Sequence, residues 1–360
     1  MPIPAVPVPG SPYPPANTRP APSVGVVVMC YNRPDYLQRT MQSLKSVPLP
    51  PNFKLYVSED GTDPRVAAVA RGHSEFTLMQ HPRDESVLEG GVPLNRVQGP
   101  PIYYRISAHY KFAFSQILDQ YRHEYIVFVE DDMEISVDFY TYFQAALPLI
   151  ETDRTVWAVS SWNDNGQERF VSDARELVRA DFFPGLGWGT SRSIWNELRA
   201  TWPGGYWDDW LREPPQRKGR VTIRPEISRT RNFGAHGASD GQFFDMYIGT
   251  VKFNTVPVSW GIEDLSYLIK SNYDPKFLSA VQKATLINDL SQVRGQGQDF
   301  RIEYNTLAEY EGMAQRNGLM PDSKANVPRC GYLNVVTIKA NGARVFYAPR
   351  NLPQLQTLRV

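Results

Sequence analysis

The sequence predicts an α/β fold in which strands of a largely parallel sheet alternate with helices. Apolar, β-branched runs of strand length recur along the chain, and apolar residues at helical spacing separate the first two. Such runs are apolar on both faces, so we expect a sheet covered by helices on each side. A chain of 360 residues has room for one large domain and a smaller one.

The predicted elements follow a proline-rich start. Nine prolines in the first 22 residues predict a disordered head over 1–23. A strand over 24–29 ends at Cys30, a helix follows from Pro34, and a second strand over 55–57 ends at 58–61. A β-α-β unit of this size predicts parallel strands joined by a right-handed crossover. The unit has no G-x-G-x-x-G sequence, which argues against a dinucleotide cofactor.

Further elements suggest a division into two domains. A helix is predicted near 106–118, followed by strands over 126–129 and 156–159. From about residue 270 the sequence mixes short strands, such as 335–338, with polar turns. We therefore expect a large domain over 24–269 and a smaller C-terminal domain over 270–360.

Composition excludes several function classes. Lys and Arg number 38 and Asp and Glu number 38, so bulk charge favours neither nucleic acid nor an acidic membrane as a partner. No apolar run approaches the ~18 residues that span a bilayer, so no membrane-spanning segment is expected. Cys30 and Cys330 are expected to be free thiols, because a disulfide-dependent fold usually has more cysteines.

Three carboxylates, Glu130, Asp131 and Asp132, directly follow the apolar run 126–129. They would repel one another unless a cation lies among them. Ligands bind at the carboxyl ends of strands in α/β sheets, so a hard divalent cation that holds a diphosphate would explain the cluster. In the alternative interpretation, Asp131 or Asp132 caps a helix that runs towards Leu147.

The region 156–245 is dense in Trp, Gly, Asp and Asn. Aromatic faces beside carboxylates and amides suit sugar rings, which present apolar C–H faces ringed by hydroxyls. A Trp-rich core with Asp and Asn in turns is the alternative. The motifs concerned are Trp162-Asn163-Asp164-Asn165-Gly166, Phe182-Phe183-Pro184-Gly185-Leu186-Gly187-Trp188 and Tyr206-Trp207-Asp208-Asp209-Trp210.

With these motifs, the stretch 130–245 closely resembles the N-acetylglucosaminyltransferase I family, which adds GlcNAc in β1,2 linkage to a mannose of N-linked glycans. Weaker resemblance extends from about residue 24 into the C-terminal domain. Enzymes acting on protein O-mannose share some motifs, but 207–210 looks more like the N-glycan branch. The matching motifs are Glu130-Asp131-Asp132, 162–166, 184–188, 207–210 and Arg224-Pro225-Glu226-Ile227-Ser228-Arg229-Thr230.

The resemblance implies a GT-A-like nucleotide-sugar domain over 24–269, with UDP-GlcNAc as donor, a mannose-terminated glycan as acceptor and Mn²⁺ as cofactor. Asp132 matches the metal ligand and Asp208 the catalytic base. The implied donor contacts are Arg33, Asp60 and His109 to the nucleotide, Glu130 and Asp131 to the donor sugar and ribose, Leu186 and Trp207 to GlcNAc, and Ser239 in a loop, 234–241, that orders over the diphosphate.

Each of these residues also has a structural interpretation. Arg33 and Asp60 could be surface turn residues, and His109 a helix residue bound to a backbone carbonyl. Leu186 and Trp207 could be plain core. For the whole chain, the rival functions are a non-catalytic sugar-binding module and, with less support, a metal-dependent phosphohydrolase. Both Asp132 and Asp208 are present, which favours the transferase.

The chain departs from the animal family pattern in its cysteines. The family's disulfide positions correspond here to Tyr31 with Gly61 and to Ala158 with Thr222, so none of the four is a cysteine. Family members are Golgi enzymes with an N-terminal anchor, and no anchor precedes the proline-rich head. The resemblance therefore implies the Golgi, with the anchor absent from this sequence, and a cytoplasmic location is expected if Met1 is the native start.

Overall fold

A mixed eight-stranded sheet organises the molecule. The computed structural model describes residues 21–235, 241, 243–295 and 297–352. The first four strands in the order below are parallel, including the pair that was predicted to be so, and the fifth runs antiparallel to both its neighbours. The α/β class is confirmed. Across the sheet the strands are Phe76–His81, Phe53–Asp60, Val24–Cys30, Tyr125–Glu130, Trp188–Ser191, Val156–Ser160, Val221–Pro225 and Leu177–Ala180.

Helices connect the strands of this sheet. The first begins at Pro34, as predicted, because proline suits the first helical turn, and its apolar face is buried. The predicted helix near 106–118 spans Ile102–Phe114 and continues into a π-helical turn, Ser115–Gln120. The helices of this part are Pro34–Lys45, Pro64–Arg71, Ile102–Phe114, Phe139–Ala146, Leu149–Thr152, Arg192–Leu198, Trp207–Arg212 and Pro214–Arg217.

The antiparallel strand Trp188–Ser191 lies next to the central strand Tyr125–Glu130. Gly189 makes this close pairing possible, since a Cβ at this position would lie 2.7 Å from the Ile126 carbonyl oxygen. The strand has few apolar residues, and sequence reasoning did not predict it. This strand joins the four parallel strands to the other half of the sheet.

The chain after the central strand does not enter a helix. The Asp131 N–H donates to the Met29 carbonyl at 3.0 Å, and a short strand Met133–Ile135 follows, paired with Thr230–Asn232. The next helix begins at Phe139. The interpretation that Asp131 or Asp132 caps a helix is therefore wrong, because sheet pairing continues past both residues.

The C-terminal part forms a second, smaller sheet with its own hydrophobic cluster. Two helices, Lys270–Lys283 and Leu307–Asn317, accompany it, although the sequence suggested only short strands and turns there. The first of them packs Phe277, Leu278 and Val281 into the core of the large sheet. The boundaries 24–269 and 270–360 stay a prediction. The small sheet has the order Thr285–Leu286, Asp299–Tyr304, Ala343–Pro349 and Val336–Ala340.

Two short hairpins complete the secondary structure: Val87–Leu88 pairs with Val92–Pro93, and Ser323–Lys324 pairs with Val327–Pro328. In the second hairpin Ala325 and Asn326 both have positive φ, 48° and 62°. Positive φ at both central residues is the mark of a tight two-residue turn whose twist matches the strands. This hairpin is referred to below as the C-terminal hairpin. Of the described helices, none is both long and apolar enough to cross a membrane.

Both cysteines are free and buried, which confirms the prediction. The positions of the family's disulfides nevertheless lie close together in pairs. A Cβ on Gly61 would stand 3.9 Å from Cε2 of Tyr31. Ala158 and Thr222 are register partners on adjacent parallel strands. Strand pairing and side-chain packing thus hold these two pairs of positions together where the family pattern has disulfide bonds.

Candidate active site

A cleft of about 560 Å³ lies at the carboxyl ends of the parallel strands. Three of these strands end at Cys30, Asp60 and Glu130, and parallel strands bring such ends to one edge of the sheet. Ser239 lies outside the described residues. The predicted site residues that line this one cleft are Arg33, Asp60, His109, Glu130, Asp131, Asp132, Leu186, Trp207 and Asp208.

The buried carboxylate Asp60 marks one end of the cleft. It accepts hydrogen bonds from His81 Nδ1 at 3.0 Å and from Arg83 Nη1 at 2.6 Å. Burial alone would raise the pKa of Asp60, but the His81 hydrogen bond and the charge of Arg83 lower it overall. Asp60 is therefore an anchored anion rather than a surface turn residue. Sequence reasoning missed Arg83, whose segment carries no motif.

His109 is a neutral, buried ring beside this anion. Burial lowers the pKa of His109 to about 4. Its Nε2 lies 2.8 Å from the hydroxyl of Ser58, not from a backbone carbonyl, and its ring stacks on His81 with centroids 5.9 Å apart. A flat, uncharged imidazole in a cleft wall suits a nucleotide base or ribose better than a phosphate.

The acidic cluster has one cationic neighbour among the residues that line the cleft beside it, Arg33. This guanidinium forms an ion pair with Asp131 and reaches Asp132 Oδ2 at 3.0 Å. Glu130 accepts a hydrogen bond from the Tyr110 hydroxyl at 3.2 Å. Burial, together with the neighbouring carboxylates, raises the pKa of Glu130 to about 8, and burial raises that of Asp131 to about 7 in spite of Arg33. One guanidinium therefore does not fully offset the cost of burying three neighbouring carboxylates as anions.

The surroundings of Asp132 fit a divalent metal ion. Its Oδ1 accepts from Asn232 Nδ2 at 3.1 Å, which fixes the carboxylate. Gly234 leaves open the space against Oδ2, because a Cβ there would lie only 2.3 Å from that oxygen. Hard carboxylate oxygens are ligands that Mn²⁺ accepts. Within the part of the chain that the structure describes, no cluster of three or more His, Cys, Asp or Glu is arranged to hold a metal.

Trp207 is an aromatic residue of the cleft wall. Its ring packs on Tyr110 at 4.2 Å between centroids and stacks on Trp188 at 5.6 Å. The side chain is buried and also lines the cleft, as does the half-buried Leu186. Both interpretations therefore apply to Trp207: it belongs to the core, and it presents an apolar edge to whatever fills the cleft.

Asp208 follows Trp207 at the start of the helix Trp207–Arg212, with its side chain 44% exposed. Its Oδ2 accepts from Arg212 Nη1 at 2.8 Å, and the same nitrogen donates to Asp209 Oδ1 at 2.9 Å. Arg212 is buried, and its Nε donates to the Phe183 carbonyl at 3.2 Å. Sequence reasoning missed Arg212, although the i,i+4 spacing from Asp208 is a signal that could have found it.

The model of the GNT-I family matches residues 10–357. The chain is 42% identical over 328 residues, 90% of this chain and 73% of the relative, to the alpha-1,3-mannosyl-glycoprotein 2-beta-N-acetylglucosaminyltransferase of Arabidopsis thaliana.

Solved structures show fainter likeness. A mannosyltransferase from Pyrobaculum calidifontis, solved with GDP-Man and Mn²⁺, is 18% identical with a TM-score of 0.37, over 57% of this chain and 55% of that one. TarS of S. aureus is 15% identical with a TM-score of 0.35, over 59% of this chain and 37% of that one. The family match covers nearly the whole chain and is accompanied by the close plant relative, so this chain belongs to the GNT-I family.

Proposed function

We propose that the protein is an inverting glycosyltransferase with a GT-A-like domain, which moves GlcNAc from UDP-GlcNAc to the α1,3-linked mannose of an N-linked glycan in β1,2 linkage. The main support is spatial: nine residues that the resemblance singles out, from distant parts of the sequence, line one cleft. The name of the Arabidopsis relative specifies the same transfer for that protein. By the same resemblance we assign the protein to the Golgi.

The donor is expected to lie along the cleft from Asp60 to Asp208. Asp60, held by His81 and Arg83, accepts hydrogen bonds from uridine or ribose, and neutral His109 packs beside them. Glu130 and Asp131 accept from sugar and ribose hydroxyls. Leu186 and Trp207 supply the apolar surface on which the GlcNAc ring rests.

Metal binding is assigned to Asp132, with diphosphate oxygens and water completing the coordination. Mn²⁺ bound there would neutralise the diphosphate and help UDP to leave, an effect worth several kcal/mol. The chain itself keeps the metal-binding carboxylate in place. Asn232 orients the Asp132 carboxylate, and Gly234, which has no side chain, leaves the space beside it open.

Asp208 is the proposed base. Its half-exposed carboxylate takes the proton from the mannose hydroxyl as that oxygen attacks the anomeric carbon from the face opposite UDP. A single displacement inverts the configuration and needs no protein nucleophile. Arg212 holds the carboxylate from the next turn of the helix, so that the base is in place before the acceptor arrives.

The decisive experiment offers the protein two acceptors, a mannose-terminated N-glycan and an O-mannosyl peptide, with UDP-GlcNAc and Mn²⁺. A mannose-terminated N-glycan should gain the mass of one GlcNAc, and digestion should identify a β1,2 linkage on the α1,3 arm. Transfer to O-mannosyl peptide instead would redirect the proposal to the protein O-mannose branch. Binding of UDP-GlcNAc without transfer to any acceptor would identify a sugar-binding module and overturn the proposal.

A further inference from the structure

The motif Trp162-Asn163-Asp164-Asn165-Gly166 has no role in the donor assignment above. Most of its members build a turn. Asn163 Nδ2 donates to the Glu226 carbonyl at 2.7 Å, and its Oδ1 accepts from the Asn165 N–H at 3.1 Å. Gly166 is required because a Cβ there would lie 2.8 Å from the Asn163 carbonyl oxygen. These contacts explain Asn163 and Gly166 but not the carboxylate of Asp164.

Asp164 differs from its neighbours because its side chain lines the cleft. Oδ1 accepts from Trp162 Nε1 at 3.2 Å and from Arg329 Nη1 at 3.2 Å. Oδ2 is buried and has no hydrogen-bond partner among the described residues. Buried polar atoms of proteins are nearly always paired, so an unpaired carboxylate oxygen beside a ligand cleft indicates a missing donor.

Arg329 directly follows the C-terminal hairpin and also lines the cleft. Asp322, which flanks the same hairpin, binds Arg329 Nε at 2.6 Å and Nη2 at 2.5 Å. This bidentate pair already satisfies the structural need of the guanidinium, and it fixes the plane of the arginine. The third nitrogen, Nη1, is thereby presented next to Asp164.

The Asp164–Arg329 pair lies close to the proposed base. Two guanidiniums pack on the Phe182 ring, with Arg212 Cζ 4.9 Å and Arg329 Cζ 4.7 Å from its centroid. Arg212 is the residue that holds Asp208. Lys324 of the same hairpin reaches Asp209 Oδ2 at 3.3 Å. Arg212 and Arg329 therefore share one aromatic neighbour, and the hairpin contacts the helix that carries the base.

We propose that Asp164 and Arg329 form a hydroxyl-binding subsite for the mannose-containing acceptor, built jointly by the motif 162–166 and the residue that follows the C-terminal hairpin. This inference rests on the proposed transferase function. A carboxylate accepts from one sugar hydroxyl while the adjacent guanidinium donates to its neighbour, so the pair recognises two hydroxyls of one ring. No donor role has been assigned to either residue.

The first test is Asp164→Asn, which keeps the shape and removes the charge. We expect the KM for the mannose-terminated acceptor to rise roughly 10- to 100-fold, with the KM for UDP-GlcNAc unchanged. Asp181→Asn is the matched control: Asp181 also pairs with an arginine, Arg217, and also holds a C-terminal segment, through the Leu333 N–H, but it does not line the cleft. The control should leave the acceptor KM unchanged. Equal thermal stability of both variants would exclude misfolding as the cause.

A series of monodeoxy acceptors provides the second test. Removing the hydroxyl that Asp164 binds should raise the acceptor KM of the native protein and have little further effect in Asp164→Asn, as a double-mutant cycle requires. Arg329→Lys should weaken the response to a neighbouring hydroxyl. Purely additive effects for every deoxy acceptor, or an unchanged acceptor KM in Asp164→Asn, would overturn the subsite while leaving the proposed function intact.

Failure of the proposed transferase function can be distinguished from failure of the proposed acceptor subsite. If the native protein transfers no GlcNAc, binding of the mannose-terminated oligosaccharide is measured directly by ligand-observed NMR with UDP and Mn²⁺ present. Binding that Asp164→Asn abolishes and Asp181→Asn retains would support the subsite in a sugar-binding protein. Absence of binding to the native protein, or equal binding by Asp164→Asn, would overturn it.

Discussion

Arg212 Nη1 bridges the two carboxylates of the motif 207–210, donating to Asp208 at 2.8 Å and to Asp209 at 2.9 Å. Asp209 is also tied to Lys324, whereas Asp208 has Arg212 as its only ion-pair partner among the described residues. Asp209 thus takes part in a contact between two segments of the chain, whereas Asp208 remains available to the cleft. The distinction could not be made from the motif alone.

Asp208→Asn should lower turnover roughly 10²- to 10⁴-fold while the affinity for UDP-GlcNAc changes little. The amide keeps the shape of the side chain and cannot accept the proton. Asp209→Asn is the adjacent control and should retain most of the turnover. Steady-state kinetics with both substrates varied would measure this. Near-normal turnover in Asp208→Asn would remove the residue from the mechanism.

Arg212→Lys should lower kcat about 10- to 100-fold with little change in the donor KM. An ammonium cannot reproduce the planar fork that contacts two carboxylates and the Phe183 carbonyl together, so the base loses its fixed orientation. Arg217→Lys, which alters the Asp181 pair outside the cleft, is the control. A variant with normal kcat would show that Asp208 needs no positioning by Arg212.

Asp132→Asn should abolish the tightening of UDP binding by Mn²⁺, measured by calorimetry with and without the ion. The substitution removes the only protein carboxylate assigned to the metal. Glu134→Gln is the control, since Glu134 lies two residues away but pairs with Arg39 and Arg231. If Mn²⁺ still strengthened UDP binding to Asp132→Asn, another residue would have to hold the ion.

Gly234→Ala should impair metal-dependent UDP binding by at least about tenfold. The added Cβ would lie 2.3 Å from Asp132 Oδ2, so the carboxylate has to move. Gly261→Ala is the matched control, because a Cβ at Gly261 meets nothing within 4 Å. Calorimetric titration of UDP with Mn²⁺ present compares the two. Unchanged affinity in Gly234→Ala would mean that Asp132 can shift without consequence for the metal.

Glu226→Gln should flatten the pH dependence of stability. Burial and the adjacent Glu176 raise the pKa of Glu226 to about 7. The folded protein therefore keeps this proton above the pKa of an unfolded glutamate. Its stabilising contribution is complete below about pH 4.5 and is lost as the pH rises through about 7, by on the order of 1–3 kcal/mol.

Urea unfolding of the native protein and the variant between pH 5 and pH 8 would measure this effect. The native protein should lose stability over that range and the variant should lose less. Glu197→Gln is the control of opposite sign: although burial raises the pKa of Glu197, hydrogen bonds from Arg220 and Lys218 lower it overall. It should leave the slope between pH 5 and pH 8 unchanged. Parallel slopes for native protein and Glu226→Gln would contradict the prediction.

The elements that could be predicted from the sequence are those with a strong local signal. The runs at 24–29 and 126–129 are apolar on both faces, and the structure buries both as central strands. The strand Trp188–Ser191 has no such run and depends on Gly189 fitting against its neighbour. The helix Lys270–Lys283 contains Pro275, which disfavours a helix locally, and tertiary packing overrides that preference.

The residues of the candidate site also divide into those that the sequence locates and those that it does not. Arg33, Asp60 and Asp132 follow predicted strands, so resemblance and strand ends together locate them. Arg83 and Arg329 carry no motif and reach the cleft only through folding, the latter from just after a hairpin almost 200 residues beyond the acidic cluster. Interactions between distant segments leave no spacing pattern that a single sequence reveals.

The paired positions Tyr31 with Gly61 and Ala158 with Thr222 have a practical consequence for production of the protein. Strand register and side-chain packing hold these pairs together without any covalent link, and both native thiols are buried. The cleft therefore reaches its correct geometry without disulfide formation. Bacterial cytosol, where thiols stay reduced, should yield folded material directly, and adding a reducing agent during purification should leave that yield unaffected.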